Sequence, residues 1–163
     1  MTGLRIRRAV PADRASVAAL LRGLSPESAY RRFQTALGPG PTAAMLDALL
    51  PEGPRGGAVL AHAGTALVGH GVWHRAGTTP VAEIGVVVAD DRQRQGIGTA
   101  LAEVLMADLA ARGIEQVEVF ATATNEAVSR MVGLRAPDAR REYDGATVSY
   151  HLPVRPSVVR TVA

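Results

Sequence analysis

The stretch Val81 to Ile114, "VAEIGVVVADDRQRQGIGTALAEVLMADLAARGI", changes its hydrophobic pattern twice. Val81 to Val88 is a nearly unbroken apolar run of strand length. From Leu101 onward the apolar residues fall at helical spacing, with Leu101, Val104, Leu105 and Leu109 on one face and Gly113 as the stop. "IEQVEVFAT", residues 114–122, follows as a second strand. A strand, helix, strand order of this kind demands parallel pairing of the two strands.

The turn inside this unit decides what it holds. A Walker-type phosphate loop needs a lysine after its last glycine, and the chain contains none: all eighteen of its basic residues are arginine. A dinucleotide fingerprint needs a third glycine, and that position falls at Leu101. What remains is Gln93-Arg94-Gln95-Gly96-Ile97-Gly98 feeding a helix N-terminus. Glycines let backbone approach a ligand closely, successive N–H groups converge, and the helix dipole favours negative charge. A pyrophosphate fits such a loop.

Around this unit the elements read outward. "LRIRRAV" (4–10) is a first strand with Leu4, Ile6 and Arg8 on one face. Asp13 reads as the cap of a helix carrying Val17, Leu20, Leu21 and Leu24. Pro26 opens a second helix with Tyr30, Phe33 and Leu37 on one stripe, and a short one runs from Thr42 to Leu50. "GAVLAHAG" (57–64) and "TALVGHGVWHR" (65–75) are strands joined at Gly64, and the Val81 strand is reached through Gly77 to Pro80. Asn125 to Met131 is a short helix, and strands near Arg140–Tyr143 and Thr147–Leu152 end the pattern. The expected class is α/β (α+β): a mixed, mostly antiparallel sheet flanked by helices, one domain over residues 1–152. Residues 153–163 read as a tail, mobile or at an oligomer interface.

Composition narrows the function. Without cysteine there is no thiol chemistry and no disulfide. A net charge of +3 on scattered arginines, with one tryptophan, three tyrosines and two phenylalanines, does not suit a nucleic acid. No apolar run suits a signal peptide or a membrane span, so a cytoplasmic location without membrane association is expected.

The pattern Gln/Arg-x-x-Gly-x-Gly/Ala behind an apolar strand, carried by Gln93, Gly96 and Gly98, resembles the acetyl-CoA-binding signature of the GNAT superfamily of N-acetyltransferases. The likeness extends to residues 4–33 and 81–114, and with the later strands covers roughly 3–152. Within the superfamily, "LSPESAYRRF" (24–33), "VAEIGVVVADDRQRQGIGT" (81–99) and "RREYDGATVSYHLPV" (140–154) are similar to the catalytic domain of bacterial Pat-type protein lysine acetyltransferases.

The resemblance implies acetyl-CoA in a cleft between the strand of Val86, Val87 and Val88 and that of Val117 to Thr122, with coenzyme A as product. Gln93, Arg94, Gln95, Gly96, Ile97, Gly98 and Thr99 would hold the pyrophosphate, and Asn125 matches an asparagine that contacts the cofactor arm. The acceptor amine attacks directly, with no covalent enzyme intermediate. Glu83 matches the proposed general base. It is the only charge between Val81 and Ala89, in a run apolar enough for burial on both faces, which would raise its pKa; the alternative is a residue facing water near the strand start. Many relatives place a tyrosine in the helix after the second cleft strand, and "NEAVSRMVGL" has none.

Three functions stay open on these grounds. The first is acetylation of a protein lysine, with acyl-CoA synthetases as the acceptors the Pat likeness suggests. The second is acetylation of a small amine, with residues 38–57 setting specificity. The third is acyl-CoA binding without turnover, as a sensor or interaction module. A homodimer is a further expectation. His70, Val72 and His74 share a strand face that a hairpin can bring beside Glu83, as a relay or simply as polar residues on a half-exposed strand. No third ligand lies near them, so no metal is expected. The pairs Arg31-Arg32 and Arg140-Arg141 read as solvated faces, with contact to a 3′-phosphate or an acidic acceptor as the alternative, and Trp73 reads as core.

Overall fold

The computed structural model describes residues 3–155. Seven strands form one sheet in the order β1-β2-β3-β4-β5-β7-β6. They are β1 (Leu4–Arg8), β2 (Gly56–Ala63), β3 (Ala66–Arg75), β4 (Val81–Val88), β5 (Gln116–Thr122), β6 (Arg140–Asp144) and β7 (Thr147–Pro153). Among the described residues only β4 and β5 pair in parallel; the other pairings are antiparallel. Helices α1 (Arg14–Arg22), α2 (Pro26–Phe33) and α3 (Ala43–Leu49) precede β2, α4 (Ile97–Ala111) joins β4 to β5, and α5 (Glu126–Arg135) follows β5. This is the mixed, mostly antiparallel architecture expected from the sequence. Strand β7 takes in Pro153, Val154 N–H donates to Glu115 O at 2.8 Å, and residues 156–163 of the expected tail lie outside the described residues.

The sheet carries two cores. On one face Leu101, Leu105 and Leu109 of α4 pack with Val59, Trp73, Ala82 and Val117. Gly69 and Gly71 of β3 let α4 approach: a Cβ on Gly69 would stand 2.9 Å from Leu101 Cδ1. Each leucine buried here contributes about 1.5–3 kcal/mol. Val104, expected on the same stripe, is 37% exposed because Ala102 and Met106 turn inward instead. Helix α5 covers the neighbouring part of this face, over Ala121, Val148, Tyr150 and Leu152.

The opposite face is covered by α1 and α3, through Val17, Leu20, Leu21, Leu46 and Leu49 against Leu60, Val72 and Val87. Asp13 does not cap α1 with its side chain; its carboxylate accepts from Val10 N–H at 2.7 Å and pairs with Arg7 at 2.6 Å, fixing β1 to the turn before α1. Helix α2 starts at Pro26, with Ser25 Oγ accepting from Ser28 N–H, and stops at Gln34, whose φ is 54°. Its buried residue is Ala29, so the stripe is rotated from expectation: Tyr30 is 54% exposed and Arg32 turns toward the sheet. Arg32 therefore departs from the solvated face read from the sequence.

His70, expected on a half-exposed strand, is fully buried on this second face. Its Nε2 lies 2.8 Å from the Leu49 carbonyl, which can only accept, so Nε2 carries the proton and ties the end of α3 to β3. Nδ1 is buried without a partner. Burial pushes the ring pKa down to about 4, with the hydrogen bond to Leu49 opposing. The unfolded chain, with an ordinary histidine pKa of about 6.5, then binds more protons between these values. Stability contributed by neutral His70 is fully present above about pH 6.5 and falls as pH drops toward 4, by about 3 kcal/mol at most. Urea unfolding of the wild type should show this decline, and His70→Leu, though less stable at pH 7, should show a flatter one. Equal slopes in the two proteins would overturn the assignment.

Candidate functional site

Strand β4 has two halves. Ala76 N–H donates to Val81 O at 2.9 Å and Ala89 N–H to Val68 O at 2.8 Å, which fixes the phase of the β3/β4 ladder. By the alternation of antiparallel bonding, Glu83, Gly85 and Val87 direct their amides at β3, while Ala82, Ile84, Val86 and Val88 direct theirs at β5. Pairing with β5 runs from Val81↔Gln116 to Ile84↔Val119 and ends there. Val86 and Val88 therefore face an open gap between the strands. The Val88 carbonyl is taken by Gln93 Nε2 at 3.1 Å. Val87 does not face the gap: it pairs with His70, and its side chain is buried under the other face.

At the mouth of this gap the expected loop closes around Gly96, whose φ of 83° suits glycine, after Arg94 at 63°. No backbone N–H from Arg94 to Thr99 has an acceptor among the described residues. Unpaired donors at the start of a helix are suited to an anion. Gln93 serves the loop itself, its amide donating also to Ser28 Oγ at 3.2 Å and to Asp90 Oδ1 at 3.3 Å. Asp90 in turn accepts from Ser25 N–H at 2.8 Å, so the loop is fastened to the start of α2. A Cβ on Gly98 would touch Met131, Val88 and Val86 at 3.6–3.9 Å, so α5, α4 and β4 meet behind the loop. Asn125 caps α5, its Oδ1 accepting from Val128 N–H at 3.2 Å.

The face away from α4 holds the titratable groups. Register places His74, Glu83, Glu118, His151 and Arg140 side by side on five successive strands. His151 lies 3.4 Å from Glu118 and 3.5 Å from Glu142. Glu83 is exposed, not buried on both faces: the apolar run reflects the α4 side, while the helices on Glu83's own side leave it open. His74 stands directly opposite it, as the hairpin reading requires. Glu118 and His151 escaped the sequence reading, although the alternation in "QVEVF" and "VSYHL" points both away from the apolar face. Among the described residues no group of acids and histidines is arranged to hold a metal ion, and no helix is long and apolar enough to cross a membrane.

Among the described residues the sheet parts along its one parallel pair, with unpaired backbone N–H groups at the mouth and carboxylates on one open face. The sequence profile of the acetyltransferase (GNAT) family matches residues 26–132, and the chain belongs to that family of acetyl-CoA-using N-acetyltransferases. The GNAT domain of S. lividans PAT shares the fold, with 19% identity, a TM-score of 0.81, and coverage of 92% of this chain and 90% of that one. So does the ribosomal-protein-S18-alanine N-acetyltransferase from Escherichia coli, at 16% identity, a TM-score of 0.70, and coverage of 97% and 98%. A cAMP-binding acyltransferase from Mycobacterium smegmatis matches at 21% identity and a TM-score of 0.62, over 94% of this chain but 44% of that one. A comparison with curated proteins finds no match.

Proposed function

We propose that the chain acetylates the side-chain amine of a protein lysine, with acetyl-CoA held in the β4/β5 gap. The observation that carries the reading is the pairing of the exposed Glu83 with the half-buried Glu118 on adjacent strands, one strand row below the start of the gap. Two neighbouring carboxylates attract a cationic amine, and one of them can take its proton. Likeness to the Pat-type domains supports lysine as the amine.

Bound acetyl-CoA would supply an activated thioester. The N–H groups from Arg94 to Thr99 are suited to its pyrophosphate, and the strand-edge groups of Val86 and Val88 to its amide-bearing arm. Val86 N–H, aimed into the gap, would polarise the acyl carbonyl. The face behind the gap is filled by α4 and α5, so the acceptor enters from the side of Glu83, which takes the proton directly or through water. Asn125 keeps the end of the gap in shape by capping α5.

A second reading rests on α5, which contains no tyrosine and packs Val132 into the core: the domain binds acyl-CoA without turnover. Incubation with acetyl-CoA, lysine peptides and a panel of small amines decides between them, with free coenzyme A and product mass as readouts. Acetylated peptides are expected. Modification of small amines alone would overturn lysine as acceptor, and tight binding with no coenzyme A release would establish the non-catalytic reading.

A further inference from the structure

One cation in the site has no counterpart in the chemistry described so far. Arg32 of α2 lays its guanidinium on β4 at Gly85, where a Cβ would stand 2.5 Å from Cζ and 3.0 Å from Nε. Only the missing side chain of Gly85 makes room for it. Gly85 is the first residue of β4 beyond the last β5 pair, so the guanidinium covers the start of the gap on the acceptor side. The Phe33 ring, 4.8 Å from Cζ, supports it from behind.

Nothing among the described residues satisfies this group. Nε is buried without a hydrogen-bond partner, and Arg32 takes part in no ion pair among the described residues. Its neighbours on the sheet are the neutral His70 and, one row down, Glu83, which does not reach it. Burial lowers its pKa, with Glu83 opposing, yet a guanidinium stays charged at any working pH. A part-buried cation whose terminal nitrogens donate to nothing among the described residues can meet a carboxylate through that edge.

We infer that Arg32 is a specificity-determining residue that binds a carboxylate carried by the acceptor, next to the amine that Glu83 and Glu118 receive. This rests on the acetyltransferase reading and narrows its substrate: the acceptor is an amine with a carboxylate close by. Two sources present that chemistry, an acidic residue flanking the target lysine and the carboxylate of a free amino acid.

The test uses matched pairs on the full chain with acetyl-CoA. One arm compares a lysine peptide flanked by glutamate with the same peptide carrying glutamine; the other compares free amino acids with their primary amides. In the wild type, kcat/KM should favour the carboxylate form by about tenfold or more in one arm, as expected for a charged hydrogen-bonded pair. That arm identifies the source. Arg32→Gln should bring the ratio close to one, and Arg32→Lys should restore part of it. Gly85→Ala provides a second route: it keeps the arginine but displaces its guanidinium, and should lower the ratio as well.

A wild-type ratio near one in both arms, or a ratio that survives both Arg32→Gln and Gly85→Ala, overturns the inference. Should no acceptor turn over, isothermal titration of the same ligands into the coenzyme A-loaded protein reads the subsite directly. Carboxylate-selective binding lost in Arg32→Gln would uphold the subsite and overturn only the catalytic reading. Equal affinity for carboxylate and amide would overturn the subsite itself.

Discussion

Gly96→Glu is expected to remove measurable binding of acetyl-CoA and coenzyme A in isothermal titration while the circular dichroism spectrum stays that of the wild type. Two effects add. Gly96 has a φ of 83°, where a residue with a Cβ is strained by about 1–3 kcal/mol. No atom lies within 4 Å of a Cβ built there, so the new side chain fits, but its carboxylate enters the loop proposed to hold the pyrophosphate. Two like unit charges about 4 Å apart near a protein surface repel by about 4 kcal/mol, close to a thousandfold in affinity. Gly96→Ala, which carries the backbone strain without the charge, should bind measurably and more weakly than wild type. Coenzyme A binding retained in Gly96→Glu would move the cofactor out of this loop, and equal binding of ATP would make the loop a general nucleotide site.

Glu83→Gln should lower kcat/KM by about 10²–10³-fold, the range expected for loss of a positioned general base, with coenzyme A affinity unchanged. The substitution keeps the size of the side chain at an exposed position, so folding is not in question. Glu118 is the necessary comparison, because it occupies the neighbouring position on β5 and shares the row. Glu118→Gln should mainly raise KM for a cationic acceptor, by several-fold, through weaker attraction. If the two substitutions cost the same in kcat, the base is a property of the pair and Glu83 alone does not hold the role.

How much of this was legible in the sequence follows from the range of the signals. The strand, loop, helix, strand unit is local: an apolar run, two glycines and a heptad-like stripe each act within a few residues, and β4, α4 and β5 lie where they were expected. The row from His74 to Arg140 is not local. It depends on the register of five strands, to which the sequence contributes only alternation. For Glu83 the sequence leaves two readings, burial on both faces or a side chain facing water, and the structure has the second, because cover on its own side depends on where α2 stops. Arg32 was misjudged because surface solvation is the usual fate of paired arginines. The available clue was Gly85, since a glycine inside an apolar strand marks a close approach by something else.

Within the sheet, four residue pairs, Val81↔Gln116 to Ile84↔Val119, join β1–β4 to β5–β7–β6, and α4 packs across both halves on one face. The molecule is in this respect a book of two leaves with a short spine, and the proposed co-substrate is the page that fills it. A ligand that binds only the folded form at a hundred times its Kd adds about 2.7 kcal/mol to stability. On the proposed reading, bound acyl-CoA lengthens the life of the folded chain against proteolysis, because it joins the two leaves where the strands do not.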